Sequence, residues 1–310
     1  MTPTGSLEAQ RVLVTGASGF IGTRLCRRAV EQGAVVHALS RRDHPPADGL
    51  RWERADLTNA TEVRDLVLAL RPDVVLHLAG EVSGSRDRER VLPMLHANLA
   101  AAVNVMIAAS EAGSRRVVLA GSMEEPDIGD ADAVPQSPYA AAKWGTLAYA
   151  RMFRALYALD VVHLRVFMVY GPGQIDVRKL VPYATISFLR GHPPKLSSGA
   201  RPIDWIYVDD VVDAFLAAAV AAGSEPASLD IGSGSLVTAR SVVDRLRDVV
   251  GAEVQAEFGA VPDRALERIR VADPEPAEHA IGWRPRTPLD EGLRRTVEFY
   301  RTELDRLPAA

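Results

Sequence analysis

Val14–Gly22 reads VTGASGFIG, and what flanks it decides the fold. Ahead of it, Arg11–Thr15 (RVLVT) is a short β-branched run that predicts a strand. Behind it, Phe20 to about Gln32 predicts a helix closed by a glycine. Gly16, Gly19 and Gly22 stand at Gly-x-x-Gly-x-x-Gly spacing between the two. Gly16 suits a tight turn, Gly19 lets backbone approach a pyrophosphate, and Gly22 permits close helix-to-sheet packing. The helix N-terminus then offers unbonded N–H groups and the positive end of its dipole to phosphates. Glycine turns are common, but strand, turn and helix in this order predict a dinucleotide site. Gly16, Ser18, Gly19, Phe20, Ile21 and Gly22 are its candidate lining residues.

The same rhythm continues outward. Strands are expected at Ala34–Leu39, Arg51–Ala55, Val74–Leu78, Arg116–Leu119 and Val161–Val166, and helices at Asn59–Leu70, Leu92–Ala112 and Ser137–Leu159. Val74–Leu78 is apolar apart from His77, as expected of a strand covered on both faces. Repeated strand–helix–strand units mean an α/β fold with a doubly wound, Rossmann-like parallel sheet. After Tyr170 the rhythm weakens and Gly and Pro become frequent. Residues 1–170 are therefore expected to form a dinucleotide-binding domain, and residues 171–310 a smaller, interwoven substrate lobe. Helices are expected there at Val208–Ala222, Thr238–Val250 and from about Leu289, with a strand near Leu229–Ile231.

Composition narrows the class. At 47% hydrophobic and 25% charged, the 310 residues suit a globular chain and exclude a disordered or collagenous one. A net charge of −4 without a long basic cluster argues against nucleic acid or a membrane surface as partner. The single cysteine, Cys26, cannot form an internal disulfide, and no apolar leader is evident; a cytoplasmic protein is expected. The seven histidines show no ligand-like spacing, so no metal site is expected.

The end of the second strand bears on the cofactor. Ser40-Arg41-Arg42 stands where an NAD-binding chain usually places a carboxylate for the ribose 2′-hydroxyl. A hydroxyl and two guanidinium groups suit a 2′-phosphate, so NADPH is expected. NAD is the alternative, with Asp43 serving the ribose. The chemical candidates follow in Tyr139-Ala-Ala-Ala-Lys143, whose four-residue spacing puts both side chains on one helix face. The chain has only three lysines, and of its seven tyrosines Tyr139 alone has one at the fourth position. An ammonium there is expected to lower the phenol's pKa.

Read together, these landmarks resemble the extended short-chain dehydrogenase/reductases that act on nucleotide sugars. TGASGFIG, Asp56-Leu57, His77-Leu-Ala-Gly80, Asn98, YAAAK, LRVFMVYGPGQ (164–174), DWIYVDDVVDAF (204–215), LDIGSGS (229–235) and IGWRPRTPLDEGL (281–293) match that family's landmarks in order. The resemblance implies that Asp56 and Leu57 flank the adenine and that Leu78, Ala79 and Gly80 line the cofactor. It further implies that Asn98 shapes the cofactor site and that Ser122 completes a catalytic triad with Tyr139 and Lys143.

Gly121-Ser-Met-Glu-Glu125 bears on the subfamily. Dehydratases of the family carry Thr-Asp-Glu there, and Met123 replaces the aspartic acid; a thioether cannot donate a proton. The pattern is similar to that of the 4-keto-6-deoxyhexose reductases, which makes Glu124 a candidate for the substrate. Met168 and Ile203 depart from the family's asparagine and arginine, leaving Met168, Arg201 and Arg264 as further substrate candidates. The expected activity is NADPH-dependent reduction of a nucleotide-linked 4-keto-6-deoxyhexose at C4, and the alternative is a nucleotide-sugar 4-epimerase with tightly bound NAD. Resemblance also implies a homodimer built on Leu92–Ala112 and Ser137–Leu159, with Ala150 expected on the outer face.

Overall fold

In the computed structural model, which describes residues 5–47, 49–126, 133–223, 228–263 and 268–307, the glycine turn joins β1 (Arg11–Thr15) to α1 (Phe20–Glu31). Next come β2 (Val35–Ser40), β3 (Leu50–Arg54), α2 (Ala60–Leu70) and β4 (Val74–His77). A long helical run follows: α3 (Val91–Met94), a π-helical turn at Leu95–Ala100, and α4 (Ala101–Ala112). After it come β5 (Arg116–Ser122), α5 (Pro138–Tyr157) and β6 (Val161–Val166). The remaining elements are β7 (Met168–Tyr170), α6 (Leu180–Leu189), β8 (Lys195–Leu196), β9 (Pro202–Tyr207), α7 (Val208–Val220) and β10 (Ser228–Ile231). Then β11 (Leu236–Thr238), α8 (Ala239–Val250), β12 (Glu257–Phe258), α9 (Glu275–Ile281) and α10 (Leu289–Glu303) complete the chain.

Seven strands form one sheet in the order β10-β6-β5-β4-β1-β2-β3. Every pairing from β6 to β3 is parallel. From β1 the chain winds one way to β3, and from β4 the other way to β6. The reversal between β1 and β4 is the topological switch point, outside whose strand ends ligands bind in such sheets. Strands β4 and β6 are buried along their whole length, which explains their nearly continuous apolar sequence. Leu13, Val75, Val105, Met106, Val117, Leu119, Phe153 and Val161 form the core on one face of this sheet.

Two compact units result. One holds Met1–Val166, Val212–Asp230 and Glu275–Arg284; the other holds Phe167–Val211, Ile231–Pro274 and Pro285–Ala310. Within the first, Arg116 ties β5 to the end of α7. Its side chain is 2% exposed and donates to Ala218 O, Ala221 O and Gly223 O at 2.7, 2.6 and 2.9 Å, and to Asp160. Carbonyls at a helix C-terminus lack intrahelical donors, and a cation there is favoured by the dipole.

The run Arg88–Ala112 is long and apolar enough to cross a membrane by length and composition alone. Here it packs against α2, α5 and the sheet through Met94, Ala101, Ala102, Val105, Met106, Ala108 and Ala109. The uninterrupted helix expected over Leu92–Ala112 is instead broken by the π turn. The Asn98 side-chain amide donates to Met94 O at 3.2 Å, taking the acceptor that an α-turn would give to Asn98's own N–H. Ala150, expected on an outer face, is fully buried in the sheet-side core.

In the second unit, β11-β9-β7 form a small mixed sheet, β9 pairing antiparallel to β11 and parallel to β7. Helix α6 is buried on nearly every side. The buried Asp204 carboxylate is satisfied by Ser233 N and Oγ, both at 2.7 Å, and by Gly234 N and Ala272 N, both at 3.0 Å.

Candidate functional site

The candidate residues of the first unit gather at the carboxyl edge of its sheet. Gly16 has φ +69°, and a Cβ there would come within 2.8 Å of Ala79 N. A Cβ on Gly22 would run into Gly16 O. These two positions therefore fix how closely the turn, α1 and the segment after β4 approach one another. Gly19 caps α1 in extended conformation with no side-chain hydrogen bond. The first-turn N–H groups, beside exposed Ser18 and half-buried Phe20 and Ile21, are thus left for an anion. The turn fits a diphosphate.

Leu78, Ala79 and Gly80 follow β4. Ala79 N donates to Thr15 Oγ1 at 3.2 Å, and Thr15 Oγ1 lies 2.8 Å from His77 Nδ1. Burial, and then the nearby Lys143, push the His77 pKa down to about 3, so the imidazole is neutral at physiological pH. A Cβ on Gly80 would sit 2.5 Å from Asn98 Oδ1 and 3.6 Å from Lys143 Nζ. Asn98 donates to Glu81 O at 3.1 Å as well as to Met94 O. Its Oδ1 is buried with no hydrogen-bond partner among the described residues, and so is His77 Nε2. Buried acceptors left open beside a glycine suit a polar ligand better than a closed core.

At the end of β2, Arg41 and Arg42 are exposed. Ser40 Oγ accepts from Arg42 N at 3.2 Å and lies 3.0 Å from His44 Nε2. The His44 ring stacks on Trp52, centroids 4.0 Å apart. Asp43 accepts from Arg54 NH1 at 3.4 Å. Asp56 accepts from Thr58 N and Oγ1 at 2.9 and 2.8 Å; these bonds hold its pKa low, with Arg41 adding to the effect. Leu57 is buried, and its carbonyl accepts from Asn104.

Ser122 is the last residue of β5, and α5 carries Tyr139 and Lys143. Ser137 caps α5 by accepting from Ala140 N at 3.1 Å, fixing where the helix starts and so the height of Tyr139. Burial raises the Tyr139 pKa well above the ordinary range; the nearby Ser122 side chain opposes this, and Glu124 and Glu125 reinforce it. The expected lowering by Lys143 is not found. Lys143 Nζ lies 5.9 Å from the Tyr139 ring centroid and donates to Ala120 O at 2.8 Å. Burial brings the Lys143 pKa down to about 8, partly offset by Glu125. The arrangement offers a neutral phenol as proton donor, an adjacent hydroxyl and a lysine that keeps most of its charge near pH 7.

Glu124 is exposed; its N–H donates to Ser122 Oγ at 3.2 Å and its Oε2 accepts from Ser137 Oγ at 3.4 Å. Met123 is buried next to Ser122. Met168, half-buried on β7, and Arg201, whose NH2 donates to Arg268 O at 2.9 Å, belong to the second unit. Arg264 lies outside the described residues. That unit has a cleft of about 350 Å³ lined by Trp205, Ser233, Ser235, Val237 and residues 285–289, and neither Met168 nor Arg201 lines it. Sequence reasoning did not find Glu125 and His163, buried side by side under Gly121. The available signals were a second carboxylate in Ser-Met-Glu-Glu and a histidine inside the strand-like run VVHLRV.

A doubly wound sheet with a glycine turn at its switch point, and Ser, Tyr and Lys beside it, defines a dinucleotide-binding fold of the short-chain dehydrogenase/reductase type. The sequence pattern of the "NAD dependent epimerase/dehydratase family" matches residues 12–232, and the chain belongs to that family. It is 33% identical to the UDP-glucose 4-epimerase of Mycolicibacterium smegmatis, over 94% of this chain and 99% of that one. It is 30% identical to the dTDP-glucose 4,6-dehydratase of Mycobacterium tuberculosis, over 94% and 93% of the two chains. The UDP-glucose 4-epimerase of Thermus thermophilus, solved in complex with NAD, superposes with a TM-score of 0.82 at 28% identity, over 94% of this chain and 99% of that one. None of these relatives is a 4-keto reductase, which was the expected subfamily.

Proposed function

We propose that the protein is a nucleotide-sugar 4-epimerase that oxidises and re-reduces C4 of a hexose. The observation that carries this reading is Ser122 at the end of β5 beside the buried Tyr139 of α5, with a buried thioether, Met123, as its neighbour. Such a pair can move a proton on and off one sugar oxygen, and it lacks the further acid that dehydration requires. Whole-length similarity to a UDP-glucose 4-epimerase supports the same choice.

A bound nicotinamide would supply the hydride acceptor and donor. Gly16, Gly19 and the first turn of α1 would hold the diphosphate, and Lys143 and Asn98 would hold the nicotinamide-side ribose. Ser122 holds the C4 oxygen in place. Tyr139 as phenolate takes its proton as the alcohol becomes a ketone, and as phenol returns it as the ketone becomes an alcohol. In the resting phenol form it is set for the second of these steps.

A second reading is an NADPH-dependent reductase of a nucleotide-linked 4-keto-6-deoxyhexose. It is favoured by Ser40, Arg41 and Arg42, which stand at the end of β2 in place of a carboxylate, and by the phenol form of Tyr139. One assay separates the two. An epimerase interconverts UDP-glucose and UDP-galactose with no net change in nicotinamide absorbance. The reductase leaves both untouched and consumes one NADPH for each nucleotide 4-keto sugar.

The protein is further proposed to act as a cytoplasmic homodimer. Leu92, Leu95 and Ile107 on the helical run, and Tyr149, Leu156 and Tyr157 on the adjoining α5, are exposed apolar side chains that a second copy would cover. Sedimentation at micromolar concentration is expected to show a dimer; a monomer alone would overturn this.

A further inference from the structure

Beneath the end of β5 lies a polar pair that the proton transfer above does not use. The side chains of Glu125 and His163 are both fully enclosed, with Glu125 Oε1 3.3 Å from His163 Nε2. The same oxygen accepts the Ser122 N–H at 2.6 Å. On the far side of the ring, His163 Nδ1 lies 3.2 Å from Ser228 Oγ on β10. The turn also closes on itself, Glu125 N donating to Ser122 O at 3.1 Å and Glu124 N to Ser122 Oγ at 3.2 Å.

Space for this pair comes from Gly121. A Cβ there would collide with the His163 imidazole and come within 2.7 Å of Glu125 Oε1. Three positions, on β5, on the turn after it and on β6, are thus matched in size and polarity. Stability does not account for them. Burying a carboxylate and an imidazole is costly, and apolar side chains of similar volume are often as good or better.

We propose that Glu125, packed against His163, is a positioning residue: it clamps the turn that carries Ser122 and sets its carboxylate near the Lys143 side chain. The backbone links run directly, since Lys143 donates to Ala120 O two residues before Ser122. Among the described residues, the groups facing Lys143 and Tyr139 are few. His77 from β4 is neutral; the helical run presents the uncharged Asn98; the turn after β5 supplies Glu124 and Glu125; and β6 supplies His163 behind Glu125. Glu125 is the carboxylate that acts on both: it raises the Lys143 pKa against burial and keeps the Tyr139 proton in place.

The inference rests on Ser122, Tyr139 and Lys143 being the chemical groups, and its first test needs no substrate. With Lys143, Lys179 and Lys195 the only lysines, lysine labelled at the ε position gives three NMR signals. That of Lys143 is identified by its loss in Lys143→Arg. Glu125→Gln keeps an oxygen for the Ser122 N–H and removes the charge, so the Lys143 titration is expected about one pH unit lower. An unmoved titration overturns the proposal. The second test compares His163→Leu with His163→Gln in UDP-glucose/UDP-galactose interconversion. His163→Leu is expected to lower kcat about tenfold with KM little changed, and His163→Gln, which keeps a polar side chain beside Glu125, to restore most of it. Equal loss in both variants, or a change confined to KM, overturns it. Should Glu125→Gln fail to fold, the histidine pair decides. Should the wild-type protein leave UDP-glucose unchanged, the functional reading fails while the lysine titration still decides this one.

Discussion

The turn between β1 and α1 is shaped by atoms that are missing, and the end of β5 by side chains crowded together. At Gly16 and Gly22 a single added carbon would meet backbone, so close approach depends on glycine alone. At Ser122 the geometry depends on Tyr139 and Lys143 from α5, Glu125 from the following turn and His163 from β6. Binding a diphosphate needs N–H groups and room, which backbone supplies at any helix start. Moving a proton needs an acidity set by neighbours, and here burial dominates that setting. The two places should therefore respond differently to substitution.

The largest difference is expected from Tyr139→Phe. Ring packing survives, dinucleotide affinity stays near wild type, and turnover falls by about 10²–10⁴-fold, the usual contribution of a positioned acid. Near wild-type turnover would remove Tyr139 from the chemistry. Gly22→Ala should do the reverse, lowering stability by about 1–3 kcal/mol through overpacking against Gly16 and Ala17. Urea denaturation and NAD titration would both register it; an unchanged midpoint would mean that the turn adapts. Arg41→Ala with Arg42→Ala should weaken NADPH by roughly tenfold or more for each charge-assisted hydrogen bond to the 2′-phosphate that is removed, and NADH hardly at all. Equal weakening of both would show that the arginines do not read the 2′ position.

The smallest effect concerns pH. Because the folded His77 pKa, about 3, lies below the 6.5 of a free imidazole, the unfolded chain binds more protons between those limits. The associated stability is complete above pH 6.5 and is lost as pH falls toward 3. Between pH 7 and 6 it amounts to less than about 1 kcal/mol. His77→Gln should flatten the acid limb of the stability profile; an unchanged limb would mean that other groups control it.

Where a segment carried its own period, the sequence was legible. The expected strands and helices from Arg11 to Val166 appear with shifts of a few residues, because β4 and β6 are mostly apolar and rich in valine and α5 has Ser137 and Pro138 at its start. The π turn could not be read, since it depends on where one asparagine side chain places its amide. In the second unit, α6 is buried almost all round and so shows no amphipathic stripe, and it carries Pro182 near its start. β9 begins with a proline and hides the buried Asp204 among apolar residues. The Gly-Ser-Met-Glu-Glu and Tyr-x-x-x-Lys landmarks pointed to side chains that the structure brings together at the end of β5. The acidity of Tyr139 was misjudged because spacing reports neighbours along a helix and says nothing of desolvation.

The Arg116 tie has a consequence for the order in which the protein can be made. The guanidinium is enclosed on β5, and three of its acceptors are carbonyls of residues 218–223. A ribosome releases those acceptors roughly a hundred residues after the donor. Until then β5 holds a buried-type cation with Asp160 but without its three carbonyl acceptors, and unmade hydrogen bonds are expensive in an apolar setting. The first unit is thus continuous in space but not in time. A fragment of residues 1–170 is expected to stay incompletely folded, and to become protease-resistant once a nascent chain has extended well past Gly223.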